Sequence, residues 1–334
     1  MEQLILVEAK REQMVSSTSF ERNLAVQLRS VGNGLLNAPS SIDQLLTLLD
    51  RAEELLANVE QQPSDFLLDA LLPVMKGLIA EAPFKNSNGD VRVTVASCFS
   101  EILRITSPQQ PFNDKQMKEI FQLIVEVLSM LSYPSTPCYE KALSALATIA
   151  RVKACLLMLD LECEVLVLQM CQHLWVIIRS NPSADAFWAV EQIMTDILTE
   201  SEDIGPDLLH PLLASVLKEN EKVAPSCWKL GEKLFSNCAA KLRPILKGAL
   251  QLKGTTLDDY SPVVASIYQN EISISRSNLS AMPVVSPRKR RNALKSDVET
   301  LRDEAALVPS DLRDKKMKLP TIGRSNASTG TFRV

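Results

Sequence analysis

The sequence predicts an all-α fold, a HEAT/armadillo-like α-α superhelix of stacked helical hairpins followed by a disordered C-terminal tail. Three observations lead there. The stretch LLPVMKGLIAEAPFKNSNGDVRVTVASCFSEIL (Leu71 to Leu103) and its looser echo LLHPLLASVLKENEKVAPSCWKLGEKLF (Leu208 to Phe235) share one order: apolar helix with proline in its first turns, polar connector, second apolar helix. Such a hairpin cannot bury its apolar face alone and stacks on copies of itself. Second, no glycine occurs between Asp90 and Ile204, whereas a β-rich segment of that length needs glycine for its turns. Third, the apolar spacing is helical. Val91, Val95, Cys98, Ile102 and Ile105 form one stripe; Met117, Ile120, Phe121, Ile124, Leu128 and Leu131 form another.

In chain order, a helix is expected from Glu2 to about Leu28. A second runs from Ser41 to Val59, opening with a capping box of Ser41 and Gln44. First helices of successive pairs begin near Ser64, Asn113, Leu161 and Ile204, with Ser64 and Asn113 suited to N-capping. Their partners begin near Asp90, Cys138, Ser183 and Glu221, so each series steps by roughly 40 to 50 residues, the period of HEAT and armadillo arrays. Pro108, Pro111, Pro134, Pro137 and Pro182 fall between the apolar runs, where they bound helices rather than break them. A last, weaker pair covers Ala239 to Leu252 and Leu257 to Gln269. The expected organisation is a repeat domain over 1–270, its first clear unit at about 64–105, and a basic tail over 271–334.

Several function classes find no footing in the residues. The start MEQLILVEAKREQ has an apolar tetrad too short for a secretory leader. The most apolar stretch, Ala154 to Ile178, carries Asp160, Glu162 and Glu164, which suits a buried helix pair better than a membrane span. The seven cysteines are odd in number and lack any C-x-x-C spacing, so they read as reduced thiols packed as small hydrophobes; no zinc or other metal is expected. His173 and His210 both lie inside helical runs, and no phosphate loop, H-E-x-x-H or G-x-S-x-G occurs. The acidic triplet Asp160, Glu162 and Glu164 is expected at a helix N-terminus rather than in acid–base work. No enzyme activity and no cofactor are expected.

Charge is uneven. Residues 255–334 hold 13 Lys and Arg against 9 Asp and Glu, net +4, while the chain as a whole is −4, leaving −8 on residues 1–254. An acidic body disfavours direct or sequence-specific nucleic-acid binding, which needs clustered cations. The tail holds SPRKRRNALK, and the run Arg288, Lys289, Arg290 and Arg291 is a candidate nuclear import signal, with a small phosphate-binding patch and a solvated charge cluster as the other readings. Ser286, just before Pro287, is a candidate phosphosite whose added negative charge would weaken that signal. A short amphipathic piece follows, with Ser296 and Glu299 as a capping box and Leu294, Val298, Leu301 and Ala305 on one face.

Four collinear blocks then carry a resemblance. DVRVTVASCFSEILRITSPQQPFNDKQMKEIFQLIVEVL (Asp90 to Leu128), RVKACLLMLDLECEVLVLQMCQHLWVIIRS (Arg151 to Ser180), ILTESEDIGPDLLHPLLASVLKEN and WKLGEKLFSNCAAKLRPIL resemble the N-terminal HEAT region of the Precocious Dissociation of Sisters family, over roughly Ser41 to Tyr268. The resemblance implies a non-enzymatic nuclear regulator that sits on the cohesin ring through its kleisin subunit and touches chromatin indirectly. It implies roles in sister-chromatid cohesion, mitosis and recombinational DNA repair. It also implies a docking loop for short peptides of regulators such as the wings-apart-like factor, which in the family reads Ala-Pro-acid-Ala-Pro-aromatic. The matching positions are Ser107, Pro108, Gln109, Gln110, Pro111 and Phe112: both prolines and the aromatic remain, while Gln109 replaces the acid and Gln110 an alanine. A partner using a basic residue there loses a charge-assisted bond. Family members are longer, so the kleisin-wrapping surfaces are expected to be incomplete or absent; a short paralogue, a splice product and a partial gene product fit equally. The reading is a nuclear, cohesin-associated scaffold acting by binding. The alternatives are a HEAT or armadillo adaptor unrelated to cohesin and, in third place, an enzyme on an α-α superhelix, which would require a deep polar pocket with convergent ionisable groups.

Overall fold

A computed structural model describes the backbone of residues 2–180, 182–253 and 256–269, and side chains from residue 19 onward within those ranges except 247 and 251–253. The chain divides into one unit of Met1–Ala281 and another of Met282–Val334; everything below belongs to the first. The tail with Ser286 and Arg288 to Arg291 lies outside the described residues.

The described residues are helical and contain no strand, only one isolated antiparallel bridge between Leu217 and Tyr260. The helices are α1 (Glu2–Leu36), α2 (Ile42–Ala57), α3 (Asp65–Leu78), α4 (Glu81–Phe84), α5 (Gly89–Thr106), α6 (Asp114–Leu128), α7 (Tyr139–Val152), α8 (Ala154–Asp160), α9 (Glu164–Arg179), α10 (Ala184–Glu200), α11 (Pro206–Ser215), α12 (Asn220–Val223), α13 (Pro225–Asn237) and α14 (Ala239–Lys253), followed by helical residues 262–269. Short 3-10 turns occupy Ser129–Ser132 and Leu257–Asp259. The fold is an α-α superhelix of HEAT-like hairpins: α3 pairs with α5, α6 with α7, α9 with α10 and α11 with α13. The second helices stand in a row, α2 beside α5, then α7, α10 and α13.

That row shows why the sequence period exists. Ser97 Oγ donates to Glu53 at 2.5 Å, Arg104 donates to the carbonyls of Leu56 and Val59 at 3.0 and 2.8 Å, Lys153 reaches Asp196 at 2.9 Å, and Lys233 reaches Glu191 at 2.5 Å. Each partner is between 42 and 48 residues from the other. Equivalent turns of adjacent repeats therefore face one another, and the repeat length equals the sequence distance across the seam. Lys141 spans two repeats, bridging both Asp50, at 2.9 Å, and Glu53 across α5.

Helix α5 is the centre of the stack. Every residue from Val93 to Ser100 is buried, including the polar Thr94, Ser97 and Ser100. Their hydroxyls are satisfied: Thr94 donates to the Asp90 carbonyl at 3.0 Å, Ser100 to the Ser97 carbonyl at 2.8 Å, and Ser97 to Glu53. Beside them, Arg104 closes on Glu101 at 2.7 Å, with Thr148 Oγ1 3.4 Å from the same Glu101. An unmade hydrogen bond at such a site costs about 1–3 kcal/mol, so this polar seam specifies the neighbours of α5 as firmly as its apolar stripe does.

Three helix starts are capped by side chains. Asn113 and Gln116 form a capping box on α6, with bonds of 3.0 and 3.4 Å; Asn88 caps α5 through Asp90 and Val91; Ser183 caps α10 through Ala186. Ser41 and Ser64 sit at N-cap positions but make no side-chain cap bond, so the expected Ser41–Gln44 box is not formed. Burial of Leu45 and Leu49 on α2, and of Leu67, Ala70 and Leu71 on α3, holds those helices instead; a fully buried aliphatic side chain contributes about 1.5–3 kcal/mol.

Other expectations are corrected. α1 runs to Leu36 rather than Leu28 because its last turns pack on α3: a Cβ on Gly32 would lie 2.5 Å from the Val74 nitrogen, so only glycine permits that crossing. α3 begins at Asp65, which places Pro73 inside the helix rather than in its first turns. The acidic triplet is split: Asp160 ends α8, Glu162 lies between helices at φ 55°, and only Glu164 stands in the first turn of α9.

All seven cysteines are free and buried. Burial pushes the Cys155 and Cys171 thiols up to about 12; burial, with a hydrogen bond to Asp90, pushes Cys138 up to about 11. They are protonated at neutral pH and pack as small apolar groups. Among the described residues no single helix is long and apolar enough to cross a membrane; α7 and α8 pass by length and composition together but are bent by 68°.

Candidate protein-docking loop

Residues 107–112 link α5 to α6, and the sequence explains the link. Pro108 and Pro111 cannot extend α5, and Asn113 caps the next helix. The loop is pinned at both ends. The Ser107 N–H donates to the Leu103 carbonyl at 3.0 Å and the Gln109 N–H to the Thr106 carbonyl at 2.8 Å. Gln61 and Gln62 donate their side-chain amides to the Ser107 carbonyl at 3.2 and 3.3 Å, and the Gln62 N–H donates to the Ile105 carbonyl at 2.9 Å. The 60–63 connector therefore lies against the 107–112 loop, and Glu60, Gln61 and Gln62 are exposed with it. The Ser107–Pro108 peptide is cis.

Phe112 does not stand at the exposed tip of the loop. It is half-buried, edge-on to Phe99 with ring centroids 5.8 Å apart, and Phe99 meets Phe84 in the same way at 5.6 Å. An edge-to-face pair adds about 0.5–1.5 kcal/mol beyond area burial, so this aromatic chain anchors the loop to the core. The exposed part is Pro108, Gln109 and Gln110. Gln110 donates to the Phe112 carbonyl at 2.8 Å and to Asp114 at 2.9 Å, which holds its side chain over the loop. Asp114 thus sets a negative charge beside Gln110.

The other sequence candidates stand apart from this loop. His173 on α9 is half-buried, with its pKa lowered by burial, and His210 on α11 is exposed. A surface recess of about 450 Å³ is lined by Phe84, Lys85, Arg92, Glu119, Gln122 and Glu126 among others. Its charges close on one another, Lys85 on Glu119 at 3.1 Å and Arg92 on Glu126, so they tie α4 and α5 to α6 rather than converge on an open centre. Sequence reasoning missed the Lys141–Asp50–Glu53 brace, whose only signal was a lysine about two repeat lengths from a pair of acids.

A profile described as sister chromatid cohesion protein PDS5 matches residues 43–250, which includes the loop, its connector and the whole row from α2 to α13. The chain belongs to the PDS5 family. Sister chromatid cohesion protein PDS5 homolog D of Arabidopsis thaliana is 46% identical over 257 residues, covering 77% of this chain and 31% of that protein. PDS5 homolog C of the same plant is 41% identical over 310 residues, covering 93% of this chain and 35% of that protein. This PDS5-family chain thus spans about a third of the length of the curated relatives it matches. A solved chain from the Pds5-Scc1 complex, described with implications for cohesin function, superposes with a TM-score of 0.58 at 19% identity, covering 69% of this chain and 36% of that one; it carries the fold alone.

Proposed function

We propose that this chain is a cohesin-associated scaffold that regulates sister-chromatid cohesion by protein–protein binding and without catalysis. The observation that carries the reading is the PDS5 match across residues 43–250, which runs through every hairpin from α3 to α13. The relatives are named as cohesion proteins, and the similar solved fold comes from a complex with Scc1. The partner assigned is the kleisin subunit of cohesin, with chromatin reached through it, in the nucleus, during mitosis and recombinational repair. Regulator peptides, the wings-apart-like factor among them, dock on Pro108, Gln109 and Gln110 beside Asp114, while Phe112 holds the loop from beneath. Residues 1–270 form the binding domain and 271–334 the segment addressing it to the nucleus.

Immunoprecipitation of the full chain from dividing cells is expected to recover cohesin ring subunits. Recovery of import receptors or their cargo, without ring subunits, would replace this reading by the adaptor one. Nuclear address has its own test: a fusion too large for passive entry should move to the cytoplasm when Arg288, Lys289, Arg290 and Arg291 all become alanine. Unchanged nuclear accumulation removes that assignment and leaves the cohesin reading standing.

A further inference from the structure

We infer that residues 256–269 act as a releasable clasp on the last hairpin, with Ser261 and Glu232 as its catch, and that lifting it bares a pairing edge at 216–218. This clasp is independent of the cohesin reading, and it lies beyond residues 43–250, so the PDS5 match assigns it no role.

Three pieces of chain meet there. One is the end of α11, which passes close against α13: a Cβ on Gly231 would lie 2.6 Å from Val216 Cγ1, so a glycine is what permits the approach. The second is α13, which carries Glu232 beside that glycine. The third is the clasp. It starts with a Thr256–Asp259 capping box and then runs antiparallel to the connector that follows α11. The Lys218 N–H donates to the Asp259 carbonyl and the Ser261 N–H to the Val216 carbonyl, both at 2.9 Å, on either side of the Leu217–Tyr260 bridge.

Ser261 ties the clasp to α13 as well. Its hydroxyl donates to Glu232 and accepts from the Val263 N–H at 3.4 Å, while its carbonyl accepts from the Val264 N–H at 3.0 Å. One residue therefore both starts the 262–269 helix and fastens it. That helix buries Val264 and Ile267, and Tyr260 is buried just before it, whereas Pro262 and Ser266 are exposed.

The manner of fastening sets this segment apart from the repeats. The helices from α2 to α13 stand in a row, each packed along its neighbours. The clasp is held chiefly by two main-chain bonds, the Ser261 catch and the side chains of Tyr260, Val264 and Ile267. A segment with so few buried apolar contacts opens locally at less cost than the whole domain. Once it lifts, the Val216 carbonyl and the Lys218 N–H lose these partners, and free main-chain groups accept an extended segment by strand addition. The occupant of that edge is the chain's own 259–261 stretch.

Hydrogen exchange on the full chain reads the clasp at the Lys218 and Ser261 amides, which donate across the seam. Both are expected to exchange at least about tenfold faster than core amides of α5 and α10. Ser261→Asp sets a carboxylate against Glu232 and should quicken Lys218 by a further factor of about ten or more, with α5 unchanged. Adding Glu232→Lys restores opposite charges and should bring Lys218 back to within about threefold of the native rate. Tyr260→Ala serves as the opening variant if Ser261→Asp loosens α5 as well. A labelled peptide of residues 256–269, followed by fluorescence anisotropy, should bind the opened variant at least about tenfold more tightly than the native chain, whose tethered segment competes at high effective concentration. Exchange at Lys218 and Ser261 no faster than in α5, no recovery with Glu232→Lys, or peptide binding that is absent or equal in both chains overturns the proposal.

Discussion

Gly32→Ala is expected to destabilise the N-terminal repeats by about 2–4 kcal/mol, through overpacking against backbone rather than side chain. The added Cβ would lie 2.5 Å from the Val74 nitrogen and 2.6 Å from the Pro73 carbonyl carbon, and neither atom moves without shifting α3. A lowered urea midpoint is the first readout. Because each repeat of a solenoid leans only on its neighbours, hydrogen exchange should quicken in α1 and α3 while α10 and α13 keep their protection. Gly248→Ala is the control of opposite sign. Nothing lies within 4 Å of the Cβ it would add, so alanine in α14 should be neutral or stabilising by about 0.5–1 kcal/mol. Equal effects of the two substitutions would mean that α1 does not cross α3 at Gly32.

Phe99→Ala is expected to cost about 3–5 kcal/mol, the range for emptying a buried aromatic site. Phe99 is 0% exposed and is the middle ring of the Phe84–Phe99–Phe112 chain. Its loss therefore unhooks the 107–112 loop from below as well as opening a cavity in α5. Phe112→Ala should cost less, since that ring is half-buried, yet it removes the same contact. A double-mutant cycle on Phe99 and Phe112 should show a coupling of about 0.5–1.5 kcal/mol. Strict additivity would contradict the anchoring role. Phe112→Ala is consequently a poor probe of peptide docking, because it disturbs the loop from inside; Gln109→Arg touches only the exposed part.

Much of the repeat array was legible before any coordinates. Asn113 at a cap, the prolines at 108 and 111, and the stripe from Val91 to Ile105 act within a turn or two of themselves, and such signals survive folding. Ser41 and Ser64 show the limit of the same reasoning. Both are good capping residues by type, yet neither side chain makes the bond, because the helices they precede are held by burial. The loop at 107–112 divides in the same way. Its existence and prolines were readable locally, but the direction of Phe112 depends on Phe99, a residue one helix away whose role no local pattern reveals.

Helical period, hairpin spacing and the acidic balance of residues 1–254 were all written in the order of the amino acids, since each depends on neighbours along the chain or on composition. The crossing at Gly32 and the polar seam through Ser97 and Lys141 came from packing between repeats. Those contacts join residues tens of positions apart, and close approach in space is a property that no stretch of one helix can specify alone.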